Sequence, residues 1–158
     1  MSLAAKVLAA CRTRGLMVAT AESCTGGMVA AALTEIAGSS DVFERGFVTY
    51  SNAAKQDMLG VSVDTLEQFG AVSEAVAREM AEGALRHSKA NLAVSITGIA
   101  GPGPSEHKPE GRVCFGLAMD GQETVVETVE FGALGREKVR LAARDHALEM
   151  LLKAVIPV

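Results

Sequence analysis

Two short apolar runs in this chain each lead straight into a glycine-rich loop, and that arrangement constrains the fold more than any other feature. Leu16-Met17-Val18-Ala19-Thr20 is partly β-branched, bounded by Gly15, and continues into Ala21-Glu22-Ser23-Cys24-Thr25-Gly26-Gly27. Residues 91–97 form a second continuous apolar run, continuing into Thr97-Gly98-Ile99-Ala100-Gly101-Pro102-Gly103-Pro104. Runs this short and apolar read as buried strands. In open α/β sheets, ligands gather outside the ends of such strands. The expectation is an α/β protein with its site where these two loops meet.

The remaining segments supply the helices and the other strands. Leu3, Val7, Ala10 and Cys11 make one stripe of a first helix over residues 3–14 that ends at Gly15. Residues 28–36 are helix-compatible and stop before Gly38. Residues 43–51 read as a strand, and Asn52 as the cap of a short helix reaching Leu59. After a connector with one helical turn (60–70), Ser73 caps a longer helix whose buried face carries Val76, Ala77, Met80 and Ala84. Residues 112–119 and 124–131 flank Asp120-Gly121, a strong hairpin signal. A last helix over 135–153 places Val139, Ala142, Ala143, His146, Ala147 and Met150 on its core stripe, His146 as a core or boundary residue. The order predicts helices on both faces of a five-stranded sheet. The hairpin makes one strand antiparallel, so the sheet is mixed: a three-layer α/β/α sandwich in one domain over residues 1–158.

Length and charge exclude several function classes. At 158 residues and 49% hydrophobic, the chain suits one well-cored domain. A net charge of -4 without a basic run gives no reason to expect nucleic acid as a partner. No stretch approaches a membrane span and no signal peptide is recognisable, so a cytoplasmic location is expected. Cys11, Cys24 and Cys114 are odd in number and scattered, as are His87, His107 and His146. Reduced thiols and no metal or other cofactor are the expectation.

The loop at 21–27 has two readings. Hydroxyls and paired glycines at a strand-to-helix crossing leave amides free to bind an anion or an oxyanion. Equally, Ser23 or Thr25 is a helix cap and the glycines ease the bend. The spacing matches neither a Walker A loop nor a dinucleotide-binding fingerprint. Lys55, in the first turn of its helix, reads most simply as a solvated surface lysine. The same position suits a neutral lysine, because nearby positive charge lowers an amine's pKa.

Four ordered segments carry a resemblance: Ala21-Glu22-Ser23-Cys24-Thr25-Gly26-Gly27, Arg45-Gly46-Phe47-Val48-Thr49-Tyr50-Ser51-Asn52 with Lys55, Gly70-Ala71-Val72-Ser73-Glu74, and Thr97-Gly98-Ile99-Ala100-Gly101-Pro102. Together they closely resemble the CinA C-terminal-domain family of nicotinamide-nucleotide amidohydrolases, in its stand-alone form. The resemblance implies hydrolysis of nicotinamide mononucleotide to nicotinate mononucleotide and ammonia in pyridine-nucleotide recycling. It also implies a serine–lysine dyad, which falls on Ser23 and Lys55. The second glycine loop departs from the family pattern, with Pro104 where glycine is expected and one residue fewer before Lys108.

Other positions are read with alternatives. Glu22, Thr25, Gly26 and Gly27 belong to the loop that faces the reacting carboxamide. Tyr50 hydrogen-bonds Lys55 or stacks on the pyridine ring; Asn52 caps its helix or orients the carboxamide. Thr97 and Gly98 are candidates for support and backbone donation. Arg136 and Arg140, one turn apart, are expected to converge on the 5′-phosphate, from this chain or a neighbouring subunit of a homo-oligomer; the amides of Thr25, Gly26 and Gly27 are the rival phosphate site. A catalytically weak pyridine-nucleotide-binding module and a cysteine hydrolase built on Cys24 are the competing functions.

Overall fold

A computed structural model describes residues 1–156. In chain order the elements are α1 (Leu3–Arg14), β1 (Val18–Glu22), α2 (Met28–Thr34), β2 (Phe43–Val48), α3 (Asn52–Leu59), α4 (Val63–Phe69), α5 (Glu74–Arg86), β3 (Leu92–Gly98), β4 (Arg112–Met119), β5 (Val125–Glu130) and α6 (Arg136–Val155). A single 3₁₀ turn at Ser39–Asp41 precedes β2. The sheet is open, with strand order β2-β1-β3-β4-β5. β1 runs parallel to β2 and to β3, and β4 is antiparallel to both its neighbours, so the sheet is mixed as expected.

The two sheet faces are packed differently. One core cluster joins Val18, Leu92, Val94, Ile96, Val113 and Phe115 to α1, α2 and α6. The other joins Ala19, Ala21 and Ala93 to Leu59, Leu66, Val76, Met80 and Ala84, from α3, α4 and α5. Large side chains on the first face hold its helices off the sheet. Alanine, serine and glycine on the second let α5 lie close: Ser95 Oγ donates to Ala77 O at 2.6 Å. A Cβ on Gly116 would sit 2.5 Å from that same carbonyl oxygen. His146 is half-buried against Phe115, ring centroids 4.5 Å apart, and pairs with Glu127.

Local signals set most element ends. Gly15 and Gly60 close α1 and α3 in the left-handed conformation, at φ 67° and 71°. Ser73 caps α5, accepting from Val76 N at 3.2 Å. The cap of α3 is Ser51 rather than Asn52: its hydroxyl accepts from Ala54 N at 3.0 Å, and Asn52 is the first helical residue. The connector's turn is a full seven-residue helix, α4, capped by Ser62.

Because β1, β2 and β3 are parallel, their carboxyl ends lie along one edge of the sheet. The chain leaves β1 for one face and β2 for the other, so the strand order reverses around β1. The loops after these three strands therefore meet at a topological switch point, the usual ligand position in such sheets.

Candidate active site

Ser23 is the first residue beyond β1, and two main-chain bonds fix that end of the sheet. Ser23 N donates to Ile96 O of β3 at 2.9 Å, and Thr49 N, just past β2, donates to Glu22 O at 2.9 Å. These bonds bring the residues after β2, and the helix α3 that they start, against the serine. Lys55 is buried as a result, with only 1% of its surface exposed. Its Nζ lies 3.1 Å from Ser23 Oγ, 3.0 Å from Thr49 O and 3.3 Å from Tyr50 O. The expectation of a solvated lysine fails here because β1–β2 pairing turns this face of α3 inward.

Burial pushes the Lys55 ammonium below the ordinary lysine range, with the Glu106 carboxylate, and Cys24 only when ionised, acting in the opposite direction. The contacts also match a neutral amine. Such an amine has two N–H donors, for the carbonyls of Thr49 and Tyr50, and one lone pair, which then faces the Ser23 hydroxyl. Cys24 also lines the cleft, but burial pushes its thiol up to about 11. A thiol held protonated is a poor nucleophile near neutrality.

Glu22 has a different task from the one expected. Its carboxylate is 1% exposed and accepts from Thr25 Oγ1 at 2.6 Å, Val29 N at 2.9 Å and Ala30 N at 3.0 Å. The amino end of α2 thus already holds an internal anion. It is not open to a phosphate, and the Thr25 hydroxyl is committed to the same carboxylate. Gly26 N donates to Ser23 O at 3.0 Å, and Gly26 and Gly27 take φ of 57° and 105° to make the turn. The amides of Cys24 and Thr25, the first two after Ser23, have no acceptor among the described residues.

The arginines separate. Arg140 lies behind the loop, donating to Cys24 O at 3.0 Å and Thr25 O at 3.4 Å. Arg136 reaches the cleft from the same chain and spans its mouth, donating to Gly101 O at 2.7 Å and to Tyr50 Oη at 3.0 Å. They do not converge on one point, since each is engaged with a different loop. Tyr50 meets Lys55 through its carbonyl, while the residue is 61% exposed at the rim, its hydroxyl beside Arg136.

Between these groups is a cleft of about 320 Å³. Ser23, Lys55, Tyr50, Asn52, Thr97, Gly98 and Arg136 line it; Glu22, Thr25, Gly26, Gly27 and Arg140 do not. Thr97 spends its hydroxyl on Ala71 O at 2.8 Å, holding the α4–α5 connector to β3. Gly98 is required by packing, since a Cβ there would lie 2.7 Å from the Val113 side chain. Glu106 lines the cleft without having been singled out from the sequence. Among the described residues, no group of three or more His, Cys, Asp or Glu is placed to hold a metal ion.

The sequence model of the CinA C-terminal domain matches residues 1–155. The chain belongs to the CinA C-terminal domain family. Within that family it is similar to the nicotinamide-nucleotide amidohydrolase PncC of Escherichia coli K12, 53% identical over 152 residues, covering 96% of this chain and 92% of that one. It is 51% identical to the protein of the same name from Enterobacter agglomerans, over 98% of this chain and 94% of the relative. A CinA-like protein of Chlorobium phaeobacteroides is 52% identical over 145 residues, which make up only 34% of its length. Among solved structures, the competence/damage inducible protein CihA from Agrobacterium tumefaciens superposes with a TM-score of 0.93 at 53% identity, over 96% of this chain and 92% of that one.

Proposed function

We propose that this protein hydrolyses the carboxamide of nicotinamide mononucleotide to nicotinate mononucleotide and ammonia, with Ser23 as nucleophile and Lys55 as base. The observation that carries the reading is the buried Lys55 Nζ, 3.1 Å from Ser23 Oγ at the carboxyl end of β1. The names of the close relatives supply the substrate, and the cleft supports it with a serine, a lysine of lowered pKa and an arginine at the mouth.

The chemistry follows from the contacts. Neutral Lys55 takes the Ser23 proton as Oγ attacks the carboxamide carbon, forming a tetrahedral intermediate. The Cys24 amide, on the residue that follows the nucleophile and lines the cleft, is the donor assigned to the oxyanion. The resulting ammonium keeps the carbonyls of Thr49 and Tyr50 as acceptors and delivers its third proton to the leaving nitrogen. Ammonia departs, leaving an acyl ester on Ser23. Water, deprotonated by Lys55, then cleaves that ester and restores the hydroxyl. Arg136, with two of its five N–H donors engaged, is assigned to the 5′-phosphate.

Ammonia release by purified variants tests the reading. Ser23→Ala abolishes turnover of the mononucleotide and Cys24→Ala keeps most of it. An active Ser23→Ala with an inactive Cys24→Ala would transfer the role to the thiol.

A further inference from the structure

Residues 101–106 line the cleft together with Lys55, and one feature of the segment that carries them is unexplained by packing. Ser105 and Lys108 exchange main-chain bonds of 3.0 and 2.8 Å, closing a two-residue turn. The central residues are Glu106 and His107, at φ 51° and 63°. A turn with both central residues left-handed ordinarily uses Asn-Gly or Asp-Gly, because side chains are disfavoured there. Glutamate at this position is therefore not chosen for the turn. Prolines at 104 and 109 stiffen both flanks. Lys108 clamps the turn to the α4–α5 connector, donating to Phe69 O at 2.6 Å and Val72 O at 2.7 Å.

The clamp spends the Lys108 ammonium on carbonyls and leaves the exposed Glu106 carboxylate beside it without a direct ion pair. Both side chains lie over Gly70, where a Cβ would meet Glu106 Oε2 at 2.5 Å and Lys108 Nζ at 3.0 Å. Glu106 makes no direct ion pair among the described residues, and it lines the cleft with Ser23 and Lys55. A carboxylate held by a strained, braced turn and left without a direct ion pair is set to meet a cation.

We infer that Glu106 is a specificity residue, recognising the positive charge of the substrate's N-substituted pyridinium ring. The inference rests on the amidohydrolase reading of the cleft and adds the group that selects a cationic ring over a neutral one. It also explains a tension at the base. In the free protein the Glu106 charge favours the ammonium form of Lys55. A bound pyridinium offsets that charge, so the lysine is released to act as a base when the substrate is in place.

Binding separates charge from shape. Nicotinamide mononucleotide and its 1,4-dihydro form share the phosphate, ribose and carboxamide, but only the former has a charged ring. Each is titrated calorimetrically into Ser23→Ala protein, which does not consume the mononucleotide, with and without Glu106→Gln, at low and at raised salt. The Glu106→Gln substitution weakens the cationic ligand about three- to fivefold, the upper part of the range for an exposed charge pair, and leaves the dihydro ligand unchanged within about 1.5-fold. With Glu106 intact, the preference for the cation shrinks with salt. Equal losses for both ligands, or no loss for the cationic one, overturn the inference. Failure of the wild-type protein to release ammonia overturns the amidohydrolase reading instead, and the two titrations decide the role of Glu106 in either case.

Discussion

Replacing Glu22 separates a structural carboxylate from a substrate-binding one. Three donors converge on it in a site closed to water: the Thr25 hydroxyl and the Val29 and Ala30 amides. In Glu22→Gln the side-chain oxygen keeps one amide, while the new NH₂ group faces the other, donor against donor. The Thr25 hydroxyl loses a charged acceptor but can rotate. A buried donor left unpaired costs about 1–3 kcal/mol and a charge-assisted bond is worth about 1.5–3 kcal/mol. Since the amide retains part of the network, the expected loss is about 2–3 kcal/mol. For a chain of 158 residues that is a fall in Tm of roughly 5–10 °C. Differential scanning calorimetry measures the fall, and steady-state ammonia release well below Tm gives KM, which stays within about twofold of wild type. A Tm within about 2 °C of wild type together with a raised KM would falsify the capping argument and return Glu22 to the substrate.

The pH dependence of kcat/KM reports on Lys55. Because burial lowers its pKa and the neutral form is the base, the rate climbs with pH through a midpoint below the ordinary lysine value of about 10.4. Rates that fall through that range, or an active Lys55→Arg variant, contradict the assignment. The two arginines give different kinetic signatures. Arg136→Ala raises KM for the mononucleotide about ten- to a hundredfold and hardly alters the weaker use of the riboside. Arg140→Ala, which frees the carbonyls of Cys24 and Thr25, lowers kcat and Tm with little change in KM; a raised KM for the mononucleotide alone would place its guanidinium on the phosphate.

Local chemistry was legible in the sequence wherever it acts on its own. Gly15, Gly60, Ser73 and the Asp120-Gly121 turn announce element ends because caps and tight turns depend on a few adjacent residues. The alternation of apolar runs and amphipathic helices was enough for a mixed α/β sheet. What adjacent residues cannot reveal is the direction in which a polar side chain faces. Lys55 looks like a surface lysine until β1 and β2 pair, and Glu22 looks like part of a ligand loop until α2 folds back over it. Arg136 and Arg140 share a helix face, yet Arg136 meets the loops after β3 and β2 and Arg140 the loop after β1, which keeps them apart. Glu106 was missed because its strain lies in φ angles, although its position between two prolines in an irregular segment was a visible sign.

The proposed Ser23–Lys55 pair spans the centre and one edge of the sheet. β1 and β3 are buried along almost their whole length, whereas β2 is an edge strand with half-buried and exposed residues. Lys55 is held in place by that edge strand, through the residues that follow it and through α3. Partial opening of proteins begins where buried contacts are fewest. Fraying of β2 would draw the base away from the serine while the sheet centre and α5 stayed folded. On the proposed mechanism, activity is therefore lost at a local opening of this edge, before global unfolding, with the core still intact.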